Sequence, residues 1–152
     1  MRAVIQRVRK ASVSVEGNVV GTVGTGLLVF LGVSGEDTEA DIEWLVSKIA
    51  SLRIFEDADG LMNDSLESVS GGVLVISQFT LFGNLRKGSR PSFNRAAPPE
   101  FGKRMYEHFI EVLSKRLGEG RVACGQFGAM MHIHVDNWGP VTLIVDTSDK
   151  RF

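Results

Sequence analysis

The sequence predicts an α+β fold, in which a mainly antiparallel β-sheet or barrel packs against two principal helices. Strand-like segments rich in β-branched residues fill the first 33 residues and the last third of the 152-residue chain. Two stretches between them repeat apolar residues at helical spacing. The resulting order of strands, helix, strands, helix and strands is typical of the α+β class.

The first 33 residues are predicted to form β-strands. They comprise AVIQRV, the run ASVSVEGNVVGTV and the apolar GLLVFLGV. Within the run, Gly17-Asn18 tolerates positive φ, so we expect these two residues to form the turn of a hairpin. The glycine-rich GTVGTG that follows opens no helix and therefore favours a turn over a phosphate-binding loop.

The segment DTEADIEWLVSKIASL predicts an amphipathic helix. Thr38 is suited to the N-cap, and acidic residues crowd the first turn, where the helix dipole favours negative charge. Trp44 lies near the edge of the apolar stripe. The stripe itself follows the i, i+3, i+4, i+7 spacing and consists of Ile42, Leu45, Val46 and Ile49.

The second half of the chain predicts more strands and one further helix. RIF and GGVLVISQF have strand composition, and Pro98-Pro99 is suited to the first turn of a helix that Gly118 ends. The buried stripe of this helix is expected to contain Phe101, Met105, Phe109, Val112 and Leu113.

The last third, comprising RVACG, AMMHIHVDN and PVTLIVDT, is again strand-like. Gly139-Pro140 interrupts it, and proline cannot donate to a β-ladder. This dipeptide therefore predicts an edge, a bulge or a special turn.

Composition predicts a single domain, residues 1–152, and excludes several classes of protein. The net charge of −1 gives no overall basic field of the kind expected for a DNA-binding protein. A single cysteine, Cys124, excludes a disulfide framework and a zinc site built on several thiolates, so we expect a buried free thiol. No apolar run reaches the ~18 residues of a membrane span. We therefore expect a cytoplasmic protein without a membrane partner.

The basic residues are concentrated in two windows. Residues 1–15 and residues 68–99 each contain four Arg or Lys residues and no acid. In the second window the loop LRKGSRPSFNR sets cations among glycine, proline and phenylalanine, a composition suited to phosphates and a stacked base. The four cations of this window are Arg86, Lys87, Arg90 and Arg95.

Standard catalytic motifs are absent from the sequence: there is no GxSxG, Walker loop, HExxH or CxxC. His132, His134 and Asp136 alternate along one strand face and could chelate a metal. The same alternation also describes an ordinary half-buried strand. The segment SQFTLFG, residues 77–83, places polar groups at a strand end, where binding sites are usually built.

Five strings in the same order resemble the D-aminoacyl-tRNA deacylase family: MRAVIQRV, SQFTL, RKGSRPSF, FGAMM and NWGPVT. The resemblance runs from Met1 to about Asp146. It implies a homodimer, with two sites at the subunit interface, that hydrolyses the ester joining a D-amino acid, or mischarged glycine, to the 3′ end of tRNA. It implies no metal and no other cofactor.

The resemblance also assigns residues. Gly139 and Pro140 would form a Gly-cisPro motif that reaches into the partner's pocket, where main-chain carbonyls accept from the α-ammonium and reject an L side chain. Arg7 would brace that motif with its planar guanidinium. The tRNA acceptor stem would meet the four cations of the basic loop. Ser77, Gln78, Phe79 and Thr80 would surround the terminal adenosine and the scissile carbonyl, and Phe127, Ala129 and Met130 would line the pocket.

The implied mechanism uses main chain in place of a catalytic triad. A lone threonine without a base is a poor nucleophile. Backbone N–H groups near Phe79 and Thr80 would instead form an oxyanion hole, while water attacks with help from the tRNA 2′-hydroxyl.

One residue departs from the family pattern. Trp138 stands where the family usually has an acid, directly before Gly139. Two alternatives therefore stay open beside the D-specific enzyme: an L-alanyl-tRNA editing branch of the same family, and an RNA-binding module without turnover.

Overall fold

The computed structural model describes residues 1–150. Its elements follow the predicted order, and the α+β class is confirmed. The strands are β1 (Arg2–Val15), β2 (Asn18–Val23), β3 (Gly26–Gly32), β4 (Arg53–Glu56), β5 (Met62–Ser65), β6 (Gly72–Ser77), β7 (Val122–Cys124) and β8 (His132–Asp146). The helices are α1 (Glu39–Ser51), a 3₁₀ helix (Phe79–Phe82) and α2 (Pro99–Leu117).

Strand β1 is the centre of a six-stranded sheet. One edge of β1 pairs antiparallel with β3 and then with β2, and its other edge pairs antiparallel with β8. β6 lies parallel to β3, and β7 lies parallel to β6. Parallel neighbours need a long crossover connection, and here the chain from β3 to β6 contains α1 and the chain from β6 to β7 contains α2. β2 and β7 approach so closely that a Cβ on Gly21 would lie 2.8 Å from the Cys124 carbonyl oxygen. The sheet therefore curls into a nearly closed barrel.

Both faces of this sheet are apolar, because successive residues of a strand point to opposite sides. Leu27 of β3 and Val75 of β6 belong to a larger core beneath α1 and α2. Leu28 and Leu74, their neighbours in the two strands, belong to a smaller core inside the barrel. Burial on both faces explains why β3 and β6 are continuous apolar runs in the sequence.

The helices begin and end near the predicted residues. The Thr38 backbone N–H donates to the Asp41 carboxylate at 2.9 Å, which caps α1. α2 begins at Pro99 and is followed by Gly118, whose φ of +99° favours glycine. Neither helix, nor any other within residues 1–150, is long and apolar enough to span a membrane.

Two local predictions need correction. The β1–β2 turn consists of Glu16 and Gly17, with φ of +50° and +83°, and Asn18 is already the first residue of β2. Two successive residues with positive φ match the twist of a tight hairpin, so the turn lies one residue earlier than predicted. Phe101 and Val112 are half-buried rather than buried, because they lie at the borders of the buried face of α2.

Candidate active site

An open cavity of about 580 Å³ lies beyond the end of β6. Three segments form its wall: residues 76–80, residues 96–99 and the connection between β7 and β8. The structure thus brings together the two predicted groups, residues 77–80 and the residues Phe127, Ala129 and Met130 of FGAMM. The lining residues not predicted from the sequence are Ile76, Ala96, Ala97, Pro99, Gly128, Met131 and Ile133.

The first wall is formed where the chain leaves β6 and turns into the 3₁₀ helix. The Gln78 N–H still donates to the Leu31 carbonyl oxygen at 2.8 Å, which keeps this turn on the sheet. Glycine suits position 32, because a Cβ there would lie 3.0 Å from the Gln78 carbonyl oxygen. Phe79 and Thr80 then begin the 3₁₀ helix, where the first N–H groups have no carbonyl partner in the helix itself.

Two polar side chains of this wall, Gln78 and Thr80, bond to each other. The Gln78 side-chain amide donates to the Thr80 hydroxyl oxygen. The Phe79 ring packs edge-on against Phe93, with ring centroids 5.0 Å apart. Within residues 1–150, no side chain that lines the cavity titrates near neutral pH. Thr80 therefore has no general base among the lining residues.

The opposite wall carries exposed apolar side chains. Phe127 packs against Tyr106 of α2, with ring centroids 5.7 Å apart. Met130 is 89% exposed, and Phe79 across the cavity is 58% exposed. The mouth of the cavity is therefore an apolar surface that a bound ligand or a second chain would cover.

A second cavity, of about 460 Å³, lies behind Phe127 between α2 and the start of the β7–β8 connection. Cys124 borders it as a free thiol, half-buried rather than buried as predicted because it lines this open cavity. Burial raises the pKa of the Cys124 thiol, which favours the protonated, unreactive form at neutral pH.

Gly139 and Pro140 lie outside the first cavity, in an exposed bulge of β8. The pairing of β8 with β1 skips residues 138–141, which all stand opposite the single residue Arg7. The Gly139–Pro140 peptide bond is cis. A bulge is one of the three structures predicted for this dipeptide.

The Arg7 side chain fills the space behind the bulge, and it is buried. Its Nε donates to the Trp138 carbonyl oxygen at 2.8 Å, and its Nη1 donates to the Ile54 carbonyl oxygen at 2.7 Å. Its Nη2 lies 3.6 Å from the Glu56 carboxylate. Arg7 therefore joins β1, β4 and the bulge of β8.

The basic loop, residues 84–95, leaves the cavity wall after the 3₁₀ helix. Two backbone hydrogen bonds between Asn84 and Ser92, at 2.8 and 3.0 Å, close its base. The Ala97 N–H donates to the Val33 carbonyl oxygen at 2.9 Å and returns the chain to the cavity. The predicted tRNA-binding cations are all exposed on this loop: Arg86, Lys87, Arg90 and Arg95.

The residues of the alternative metal site lie on the outer face of β8. His132, His134 and Asp136 are exposed, while Ile133 between them faces the cavity. Among the residues that the structure describes, no three His, Cys, Asp or Glu side chains are arranged to hold a metal ion.

A family model for D-Tyr-tRNA(Tyr) deacylase matches residues 4–146, nearly the whole chain. The chain belongs to this family. The family resemblance is therefore confirmed, and so is the predicted enzyme class, the hydrolases of aminoacyl-tRNA esters.

Relatives of this deacylase family match over almost their full length. The D-aminoacyl-tRNA deacylase of Thermotoga petrophila is 54% identical over 97% of this chain and 98% of its own. That of Opitutus terrae is 56% identical over 99% of this chain and 100% of its own.

Two solved structures share the fold. One, described as c-Myc DNA Unwinding Element Binding Protein, has a TM-score of 0.92 and 41% identity, over 96% of this chain and 98% of that chain. The other, described as a probable eukaryotic D-amino acid tRNA deacylase, has a TM-score of 0.82 over 95% and 97% of the two chains. At 19% identity, its likeness shows the fold alone.

One residue that supports the cavity wall of this deacylase fold is not predicted by any sequence pattern. The Arg2 Nη1 donates to the Leu81 carbonyl oxygen at 2.8 Å, and the guanidinium lies 5.1 Å from the Phe82 ring centroid. The Arg2 Nε donates to Asp146 at 2.8 Å. In the sequence, Arg2 is only one of the four basic residues near the N-terminus. Its supporting role could not be predicted, because the residues it contacts are 79 and 144 positions away along the chain.

The Asp146 carboxylate completes this support. Burial by itself would raise the pKa of Asp146, but hydrogen bonds from Ser148 and Arg2 outweigh burial and leave the pKa below its ordinary value. Because the folded-state pKa is the lower one, the pair stabilises the fold above the ordinary aspartate pKa. That contribution is lost as pH falls through the folded-state value.

We therefore expect Asp146→Asn to lower the free energy of unfolding at pH 7, with a difference from the parent that shrinks steadily below about pH 4. Urea unfolding between pH 7 and pH 3 measures this difference. Glu43→Gln, which removes an exposed carboxylate of α1, is the matched control and should show no such trend. If the difference in unfolding free energy between Asp146→Asn and the parent did not depend on pH, the ionised Asp146 carboxylate would not be the source of the stabilisation.

Proposed function

We propose that this protein hydrolyses the ester bond of D-aminoacyl-tRNA, releasing the D-amino acid and tRNA. The observation that carries the proposal is one cavity whose walls are residues 77–80 and residues 127–131, in a chain of the D-Tyr-tRNA(Tyr) deacylase family. The terminal adenosine and its aminoacyl group are the proposed occupants. A cytoplasmic location follows from this substrate and is part of the proposal.

The proposed chemistry relies on backbone groups and on the substrate. An aminoacyl ester is already activated, and the adenosine 2′-hydroxyl lies beside the scissile carbonyl. Attack by water creates an oxyanion, which the free N–H groups of Phe79 and Thr80 would stabilise. Such donors contribute ~10²–10³ in rate each. This route is consistent with the lining of the cavity, because none of the described lining residues has a side chain that titrates near neutral pH.

Selectivity for the D-enantiomer is proposed to come from a second copy of the chain. Gly139 and Pro140 are exposed and lie outside the cavity of their own protomer, so a homodimer is needed to bring them to a substrate. Their carbonyl oxygens would accept from the α-ammonium, leaving no room for an L side chain. Glycine presents no side chain to reject, so mischarged glycyl-tRNA is included in the proposal.

Two features support the proposed dimer. Within residues 1–150, β8 pairs only with β1, so its outer edge is open to another strand. The apolar mouth of the cavity, formed by Phe79 and Met130, is uncovered in the single chain. A partner that inserts Gly139 and Pro140 there would cover this surface.

The function is tested by following deacylation of D-Tyr-tRNA and L-Tyr-tRNA side by side, under single-turnover conditions with EDTA present. We expect rapid loss of the D ester while the L ester is spared. Equal loss of both esters would contradict chiral selectivity, and loss only after zinc is restored would favour the site at His132, His134 and Asp136.

Two further outcomes would overturn the proposed activity. Binding of tRNA without turnover would support the RNA-binding module. Hydrolysis of L-Ala-tRNA in preference to D-Tyr-tRNA would assign the chain to the L-alanyl editing branch.

Thr80→Val, which keeps the shape of the side chain but removes the hydroxyl, should retain more than about a tenth of the parent kcat. The reason is that the proposed oxyanion donor at position 80 is a backbone N–H, which valine keeps. Thr80→Ser is the matched variant that retains the hydroxyl. A loss of ~10⁴ in kcat with the fold intact would make Thr80 a true nucleophile and would end the main-chain mechanism.

Arg86→Ala and Arg90→Ala should each raise KM for D-Tyr-tRNA, because the exposed guanidiniums are proposed to contact acceptor-stem phosphates. The slope of log affinity against log salt should fall by about one for each contact removed. Hydrolysis of D-tyrosyl-adenosine, which lacks the stem, should not change. Lys115→Ala on α2 is the control for general loss of charge. Equal effects on both substrates would contradict a role in tRNA binding.

A further inference from the structure

The indole of Trp138, directly before Gly139, contacts two guanidinium groups. The Arg7 guanidinium carbon lies 4.7 Å from the indole centroid, and that of Arg9 lies 4.4 Å from it. Both distances are within the range in which a cation is attracted to an aromatic face. Phe55 of β4 contacts the indole edge-on, at 6.4 Å between centroids.

The two arginines differ in their other contacts. Arg7 is buried and is bonded to the Trp138 and Ile54 carbonyl oxygens as well as the indole. Arg9 is exposed, and within residues 1–150 its guanidinium forms no hydrogen bond or ion pair. Its contact with the indole is therefore the interaction that holds the Arg9 side chain over Trp138.

The indole is also joined rigidly to the dipeptide that follows it. Arg7 contacts Trp138 twice, through the ring and through the carbonyl oxygen, so one guanidinium fixes both the side chain and the main chain of this residue. At Gly139 a Cβ would lie 2.6 Å from the Asn137 side-chain oxygen, so the backbone there is closely packed as well. A movement of the indole would therefore be transmitted to Gly139 and Pro140.

We propose that Trp138, held by its contacts with Arg7 and Arg9, is a positioning residue that orients Gly139–Pro140 and thereby sets the preference for D- over L-aminoacyl esters. The inference rests on the proposed function, because it concerns the selectivity of that same site. Trp138 acts through the dipeptide rather than on the reacting atoms. Arg9 contributes a second cation–π contact with the indole, 4.4 Å from the ring centroid.

The test compares the single-turnover rates for D-Tyr-tRNA and L-Tyr-tRNA in four variants. Trp138→Ala should lower the ratio of the two rates by about tenfold or more, and Arg9→Ala should lower it by a smaller factor. Trp138→Phe, which keeps an aromatic face for both cations, should restore most of the ratio. Lys10→Ala removes the neighbouring exposed cation, which does not contact the indole, and should leave the ratio unchanged.

A spectroscopic measurement tests the contact between Arg9 and Trp138 without following the reaction. In a Trp44→Phe background Trp138 is the remaining tryptophan, and its fluorescence should change on Arg9→Ala but not on Lys10→Ala. Circular dichroism and thermal unfolding check that each variant is folded.

The outcomes separate the inference from the proposed function. If Trp138→Ala is folded, cleaves the D ester and keeps the parent ratio, the inference is wrong while the deacylase activity stands. If the parent protein cleaves neither ester, the proposed function fails and the inference fails with it. A lower ratio in Trp138→Ala, recovered in Trp138→Phe, supports both.

Discussion

The buried guanidinium of Arg7 is the interaction on which the geometry at the bulge depends. Two of its donors bond to main-chain oxygens of two other strands, and its third nitrogen lies 3.6 Å from the Glu56 carboxylate, so a charge that would be costly to bury alone is satisfied on each side. Four residues of β8 stand opposite this one position of β1, and the guanidinium fills the gap that the mismatch creates. Without it, the bulge would lose the group that joins it to β4.

In the proposed mechanism, the cavity is prepared for ester hydrolysis without acidic or basic side chains. Its polar groups are two hydroxyls, an amide and the first N–H groups of a 3₁₀ helix, and a glycine at position 32 lets the sheet and the turn approach closely. Backbone donors of this kind are fixed by the fold itself, so they need no reorganisation when charge develops. Such a site depends on the backbone architecture that holds the donors in place rather than on any single side chain.

Patterns local in sequence predicted most of the fold, because strand alternation and helix capping act over a few residues. The N-cap at Thr38 and the helix opened by Pro99 are examples. The turn is predicted one residue too late because Gly17-Asn18 is the pair whose residue types favour positive φ, whereas the folded turn places Glu16 there at +50°. At the candidate site, family motifs predicted the lining residues 77–80, whereas physical patterns alone indicated only a strand end beside a basic loop.

Contacts between residues distant in sequence could not be predicted in this way. The link from Arg2 to the 3₁₀ helix and the register that leaves residues 138–141 unpaired both depend on strands that meet only in the folded chain. No local periodicity records which residue of β1 will stand opposite which residue of β8.

The closed base of the basic loop has an evolutionary consequence. The chain leaves the cavity wall, is joined by backbone hydrogen bonds between Asn84 and Ser92, and rejoins the wall near Ala97, so these bonds hold the loop at its base. Loop tips of this kind tolerate insertion and substitution at small energetic cost. If the tip contacts tRNA as proposed, mutations there would alter which tRNA is preferred while the cavity is inherited unchanged, and the two properties would diverge separately between lineages.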